Sequence, residues 1–154
     1  MVGRTKELKE LQCRYESAES EFVAVYGRRR VGKTFLIRNA FAGRFAFQHA
    51  GLARGGMKKQ LRHFKNSLKE AGRIVEKPME DWVDAFEELK EVIKASDLDK
   101  KVVFIDEMPW LDTPRSDFIS ALEAFWNGWA SARNDVLLII CGSAASWIVK
   151  KLFK

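Results

Sequence analysis

The sequence predicts an α/β fold in three layers, a mostly parallel sheet of about four strands with helices on both faces. Two observations lead there. Three short runs, at 22–26, 102–105 and 136–141, are apolar throughout rather than alternating, as strands covered on both faces are. Between them, apolar residues recur every three or four positions, the mark of helices with one face turned inward. Strands alternating with helices build parallel sheets, and such sheets gather ligands at the carboxyl ends of their strands. Gly27, Asp106, Glu107 and Ser143 all stand just beyond a strand end.

Each element has its own signal. Residues 4 to about 15 read as an amphipathic helix with Leu8, Leu11 and Tyr15 on one face, followed by a short polar loop over 16–21. The strand 22–26 passes through a glycine-bearing turn into a helix over 35–41, stopped at Gly43. Residues 44–49 read as a second strand, and Gly51, Gly55 and Gly56 mark a flexible connection. Over 57–71 the apolar residues Leu61, Phe64, Leu68 and Ala71 fall at helical spacing, opposite Lys58, Lys59, Arg62, Lys65 and Lys69. Past Pro78, residues 81–95 form a helix with Trp82, Phe86, Leu89 and Ile93 inward, and a polar loop over 96–101 leads to the strand 102–105. Thr113-Pro114 has the form of a helix start, a capping hydroxyl with proline at the first helical position. Phe118, Leu122, Phe125 and Trp129 line up behind it. Residues 133–135 turn the chain into the strand 136–141, and a last amphipathic helix runs through Trp147 to Phe153. No repeat or linker divides the 154 residues, which read as one domain.

The stretch Gly27-Arg28-Arg29-Arg30-Val31-Gly32-Lys33-Thr34 fits G-x-x-x-x-G-K-[ST], the phosphate-binding loop, between the strand and helix that motif requires. Glycines at 27 and 32 allow backbone angles that turn successive N–H groups inward as a nest for anionic oxygens. The helix behind adds unpaired donors and partial positive charge. Lys33 is expected to reach the terminal phosphates, and the Thr34 hydroxyl to hold Mg²⁺. Asp106 is expected to bind Mg²⁺ through a water, from the strand beside the loop. Glu107 is placed to orient and deprotonate the water that attacks the γ-phosphate. Asp106-Glu107-Met108-Pro109 lacks the Asp-x-x-Gly of GTPases, and no guanine-reading Asn-Lys-x-Asp is present, so ATP or ADP is the expected ligand. Ser143 suits a polar contact to the γ-phosphate or water, and equally a cap on the final helix.

These motifs, with Val2-Gly3-Arg4, Glu7-Leu8 and Cys141-Gly142-Ser143, resemble those of the predicted archaeal and bacterial ATPases of the AAA-plus class, close to the STAND signalling ATPases. The resemblance covers essentially the whole chain and implies a P-loop NTPase fold. It implies that Gly3 and Arg4 line the adenine pocket and that Ser143 holds the sensor-one position. Members of that family continue with a fifth strand, an arginine finger and a helical lid, so residues 1–154 look like the truncated front part of an ATPase module. Slow hydrolysis by the chain alone is expected on that basis. In the family's strand order the fifth strand lies beside 22–26. The apolar strand 22–26 is therefore expected at a sheet edge, a route to self-association.

Other features narrow the field. A net charge of +6 permits nucleic acid as a partner without arguing for it, because nucleotide phosphate also draws positive charge. The basic face of the helix 57–71 is a candidate surface for nucleic acid or a protein partner, although no aromatic residues interleave with its charges as base stacking needs. Arg28, Arg29 and Arg30 are candidates for contact with phosphate or with a neighbouring subunit. Arg115 and Arg133 are the arginines expected near the far edge of the site, able to act on a neighbour's nucleotide. His49 and His63 have no partner at zinc-ligand spacing, and Cys13 and Cys141 show neither pairing nor metal spacing, which suits a reducing cytoplasm. No signal peptide is expected from the polar start, and no apolar run is long enough to cross a bilayer. Three functions are compatible with these residues: a Mg²⁺-dependent ATPase acting as switch or motor, a nucleotide-binding module with little hydrolysis that serves assembly or signalling, and a DNA-associated protein with a secondary ATP site.

Overall fold

The computed structural model describes residues 2–26 and 32–142, with side chains from residue 6 onward except that of Tyr26. Gly27 to Val31, Ser143, the expected final helix and the side chain of Arg4 lie outside what is described. Helix α1 (Val2–Glu16) leads to strand β1 (Glu21–Tyr26), then α2 (Lys33–Ala40), β2 (Phe45–Ala50), α3 (Met57–Glu70) and α4 (Trp82–Ala95). Strand β3 (Lys101–Asp106), a 3-10 turn (Met108–Leu111), α5 (Phe118–Gly128) and β4 (Val136–Gly142) complete the order.

All strand pairs are parallel, in the order β1-β4-β3-β2. Seven consecutive buried residues suit β4 to the interior of the sheet, whereas Phe22 to Val25 of β1 are only half-buried, as an edge permits. The order corrects one expectation. Asp106 does not come from the strand beside the loop, because β4 separates β3 from β1.

Strand alternation divides the core in two. On one face Val103, Ile105, Leu138 and Ile140 meet α3, α4 and α5 through Phe64, Trp82, Phe86 and Phe125. On the other, Val102, Phe104, Leu137, Ile139 and Cys141 meet Leu11 of α1, Ile37 of α2 and Phe41 just past its end. The three layers are those expected.

Local departures have local causes. Leu8, expected inward, is 40% exposed; among the described side chains of α1, Leu11 is buried in the core and Tyr15 packs against it. Thr113 and Pro114 do not start α5. Ser116 N–H donates to the Thr113 carbonyl at 3.2 Å, closing a turn with Arg115 at φ 58°. Asp117 is left-handed as well (φ 56°), so the helix begins only at Phe118. Lys100, read as loop, is 8% exposed, and its ammonium donates to the carbonyls of Ser17 (2.8 Å), Glu19 (3.0 Å) and Asn134 (3.4 Å). It ties together the segments that enter β1, β3 and β4.

Candidate functional site

Gly32, at φ 120°, adopts a conformation that a side chain would strain, and its carbonyl accepts the Leu36 N–H at 2.7 Å, starting α2. Lys33 and Thr34 therefore occupy the first turn of α2, beyond the carboxyl end of the sheet. Residues 102, 104 and 106 share a strand face, so Asp106 points to the side on which α2 lies. Thr34 Oγ1 donates to Asp106 Oδ2 at 2.5 Å, a contact that spans the width of β4. Asp106 is 7% exposed, and its other oxygen accepts the Glu107 N–H at 2.8 Å. Lys33 Nζ is buried and has no hydrogen-bond partner among the described residues.

A buried carboxylate and a buried ammonium thus share one site without forming an ion pair among the described residues. Each is costly to leave without a counter-charge. A ligand carrying anionic oxygens together with a bound cation satisfies both. Thr34 and Asp106 supply two hard oxygens, the donor type Mg²⁺ takes in small number while phosphate and water complete its shell. Among the described residues no cluster of three or more His, Cys, Asp or Glu side chains stands ready to hold a metal without such a ligand.

Glu107 follows Asp106 in left-handed conformation, φ 51° and ψ 39°, uncommon for a residue with a side chain. Three contacts hold it there. Its N–H is fixed by Asp106, its carbonyl accepts the Trp110 N–H at 3.2 Å, and Gly51 presses against that carbonyl from the end of β2. The turn redirects the chain at the strand end, and the Glu107 side chain is half-buried.

Sequence reasoning missed two contributors and misread a third. Cys141 shares the site face of β4; burial, then the charge of Asp106, push its thiol up to about 12, with Lys33 pulling the other way. It walls the site, and its burial and the Asp106 charge both favour the thiol over the thiolate. Gln60 is fully buried on α3. It accepts from Leu52 N–H at 3.0 Å and donates to the carbonyls of Leu52 (2.7 Å) and Gly55 (2.9 Å). The connection after β2, expected to be flexible, is a turn pinned by that one side chain. Arg133 is at the wrong end of the sheet: it precedes β4, binds Asp135 at 2.8 and 2.9 Å, and stacks over Trp129. Arg115 stays exposed in the turn before α5. His49 is a core residue, bonded to Ser67 Oγ at 2.7 Å and pushed down to about 3, first by burial and then by His63.

A cavity of about 630 Å³ opens between α1, β1 and α2, bounded by Lys6, Glu10, Val23 and Lys33 among others. Its size is in the range of pockets for nucleotide-sized ligands, roughly 300–1,000 Å³. Gly3 and Arg4 fall in the first turn of α1, ahead of the residues that border it.

Known proteins share the sequence family and the fold. Residues 1–153 match a family described as an ATPase domain predominantly from Archaea. Uncharacterized protein MJECL04 of Methanocaldococcus jannaschii is 30% identical over 152 residues, 98% of this chain and 31% of the relative. The fold is similar to that of a Walker-type ATPase of Pyrococcus abyssi, with TM-score 0.66 and 18% identity over 97% of this chain and 47% of that one. It is also similar to Drosophila ORC in a structure bound to DNA, with TM-score 0.53 and 12% identity over 96% of this chain and 80% of that one. The chain therefore spans about a third of its M. jannaschii relative and about half of the P. abyssi protein.

Proposed function

Because the chain belongs to the family of ATPase domains found predominantly in Archaea, we propose that it binds ATP or ADP with Mg²⁺ beyond the carboxyl ends of β1, β4 and β3 and hydrolyses ATP. The observation that carries this reading is the buried, unpartnered Lys33 Nζ beside a buried Asp106 that meets Thr34. Lys33 binds the terminal phosphates, and the backbone of Gly27, Arg28, Arg29, Arg30, Val31 and Gly32 wraps them. Thr34 and Asp106 hold the metal, which when bound neutralises charge on the phosphates. Gly3 and Arg4 line the base end, near the cavity under α1. Glu107 takes a proton from water as the water oxygen bonds to the γ-phosphorus and the bond to the bridging oxygen breaks. Ser143 contacts the γ-phosphate or the water.

Two substitutions separate binding from chemistry. Lys33→Ala should weaken ATP binding about 10–100-fold by calorimetry, the scale of a lost charge-assisted hydrogen bond. Glu107→Gln should keep that affinity and lose turnover by about 10²-fold or more. Equal affinity of wild type and Lys33→Ala removes the nucleotide site. Equal, measurable turnover of wild type and Glu107→Gln removes Glu107 as base, and turnover absent from both leaves a nucleotide-binding module.

A further inference from the structure

Five cations of α3, Lys58, Lys59, Arg62, Lys65 and Lys69, form no ion pair among the described residues, although seven ion pairs are made elsewhere. Positions 58, 62, 65 and 69 follow one helical face and form a stripe about 16 Å long at 1.5 Å per residue. Beside the stripe runs a groove of about 550 Å³ between α3 and the segment that enters α4. Its floor is apolar, with Met57, Leu61 and Met79; Lys58, Arg62 and Lys65 rim one side and Glu80 the other. Leu61 is anchored in the core, so the floor is fixed on that side, while methionines are the side chains that reshape most readily around a guest.

We propose that this groove is the docking site for an acidic, amphipathic segment of a partner protein, with apolar residues on the methionine floor and carboxylates along the stripe. The two halves of the surface argue for this together. A line of unpaired cations selects an anionic ligand, and an apolar trough beside it selects one that also carries apolar side chains at matching spacing. A phosphodiester backbone answers only the first demand, and no aromatic ring borders the groove to stack a base. An amphipathic helix with leucines at i and i+4 and glutamates on the flank answers both.

The test is fluorescence anisotropy with the whole chain and three labelled probes. They are a synthetic glutamate–leucine helix of that pattern, the same peptide with every leucine replaced by serine, and a DNA oligonucleotide of equal charge. Tightest binding to the leucine peptide is expected, weakening as salt rises from about 50 to 300 mM. Arg62→Glu with Lys65→Glu should weaken it about tenfold or more with an unchanged melting temperature, since both side chains are unpaired. Met79→Ser should weaken the leucine peptide and leave the serine peptide alone. Equal affinity for the serine peptide, tighter binding of DNA, or indifference to the double reversal overturns the proposal.

Discussion

Gly51 has no room for a side chain. A Cβ there would lie 2.5 Å from the Glu107 carbonyl oxygen and 3.2 Å from Trp110 Cβ, and its own N–H donates to the Asp106 carbonyl at 3.0 Å. Since the nearest atom is backbone, Gly51→Ala must displace the turn that sets Glu107. It should lower stability by roughly 1–3 kcal/mol, the usual cost of overpacking, and reduce turnover further than ATP affinity. Thermal melts and steady-state kinetics read both, and an alanine variant with wild-type melting and kcat sinks the idea. At this scale the sequence marked the candidate site residues but not their supports. Lys33, Thr34, Asp106 and Glu107 announce themselves through motif spacing, and the structure brings Thr34 and Asp106 into contact across a strand. Gly51 read as slack because a glycine required by close approach and a glycine in a loose loop look alike until the facing backbone is known. Gln60 gave no motif signal at all, and Cys141 was visible only as the first residue of the Cys141-Gly142-Ser143 stretch at the end of an apolar strand.

Among the elements, β1 and β4 are fastened at their amino ends by carboxylates. Glu21 accepts from the Ser17 hydroxyl at 2.7 Å and from Arg14 at 2.8 Å, and these bonds hold it below its ordinary value of 4.5. Asp135, just before β4, is held below 3.8 mainly by Arg133, then by Lys101 at 3.1 Å. A carboxylate whose folded pKa is depressed stabilises the fold above its unfolded pKa and loses that contribution as pH falls through the folded one. The melting temperature should therefore decline as pH drops below about 4.5, and Glu21→Gln and Asp135→Asn should each flatten that decline. Variant and wild-type curves that stay parallel from pH 7 to about 3 would contradict this. The helices and strands themselves were legible wherever periodicity was strong, as in α3, α4, β3 and β4. The start of α5 was not, because Thr-Pro opens a turn as readily as a helix and two left-handed residues decide between them.

In the whole molecule, β1 is hydrogen-bonded only to β4, so its other side is an open edge among the described residues. Three consecutive residues, Val23, Ala24 and Val25, border the 630 Å³ cavity, which therefore runs along that edge rather than over one face. The strand carries no lysine or proline to discourage pairing. Light scattering over a concentration series should show growing mass, and Val23→Lys should return the protein to monomer. A wild-type chain that stays monomeric at every concentration overturns this. The layer arrangement was readable from alternating strands and helices, whereas strand order was not, since a buried apolar strand carries no label for its neighbours.

Strand order also sets a timetable for synthesis. β1 finds its one described neighbour in β4, and Ser20 Oγ accepts the Val136 N–H across 116 residues. At a ribosomal rate of roughly 5–20 residues per second, β1 is made on the order of ten seconds before its partner exists. During that interval β2 and β3 can zip together, while β1, an apolar strand, waits in the open without its sheet neighbour. The nascent chain is thus most exposed to misassembly and to chaperones just before residues 136–142 emerge, and only their insertion turns two separate halves into an ATPase core.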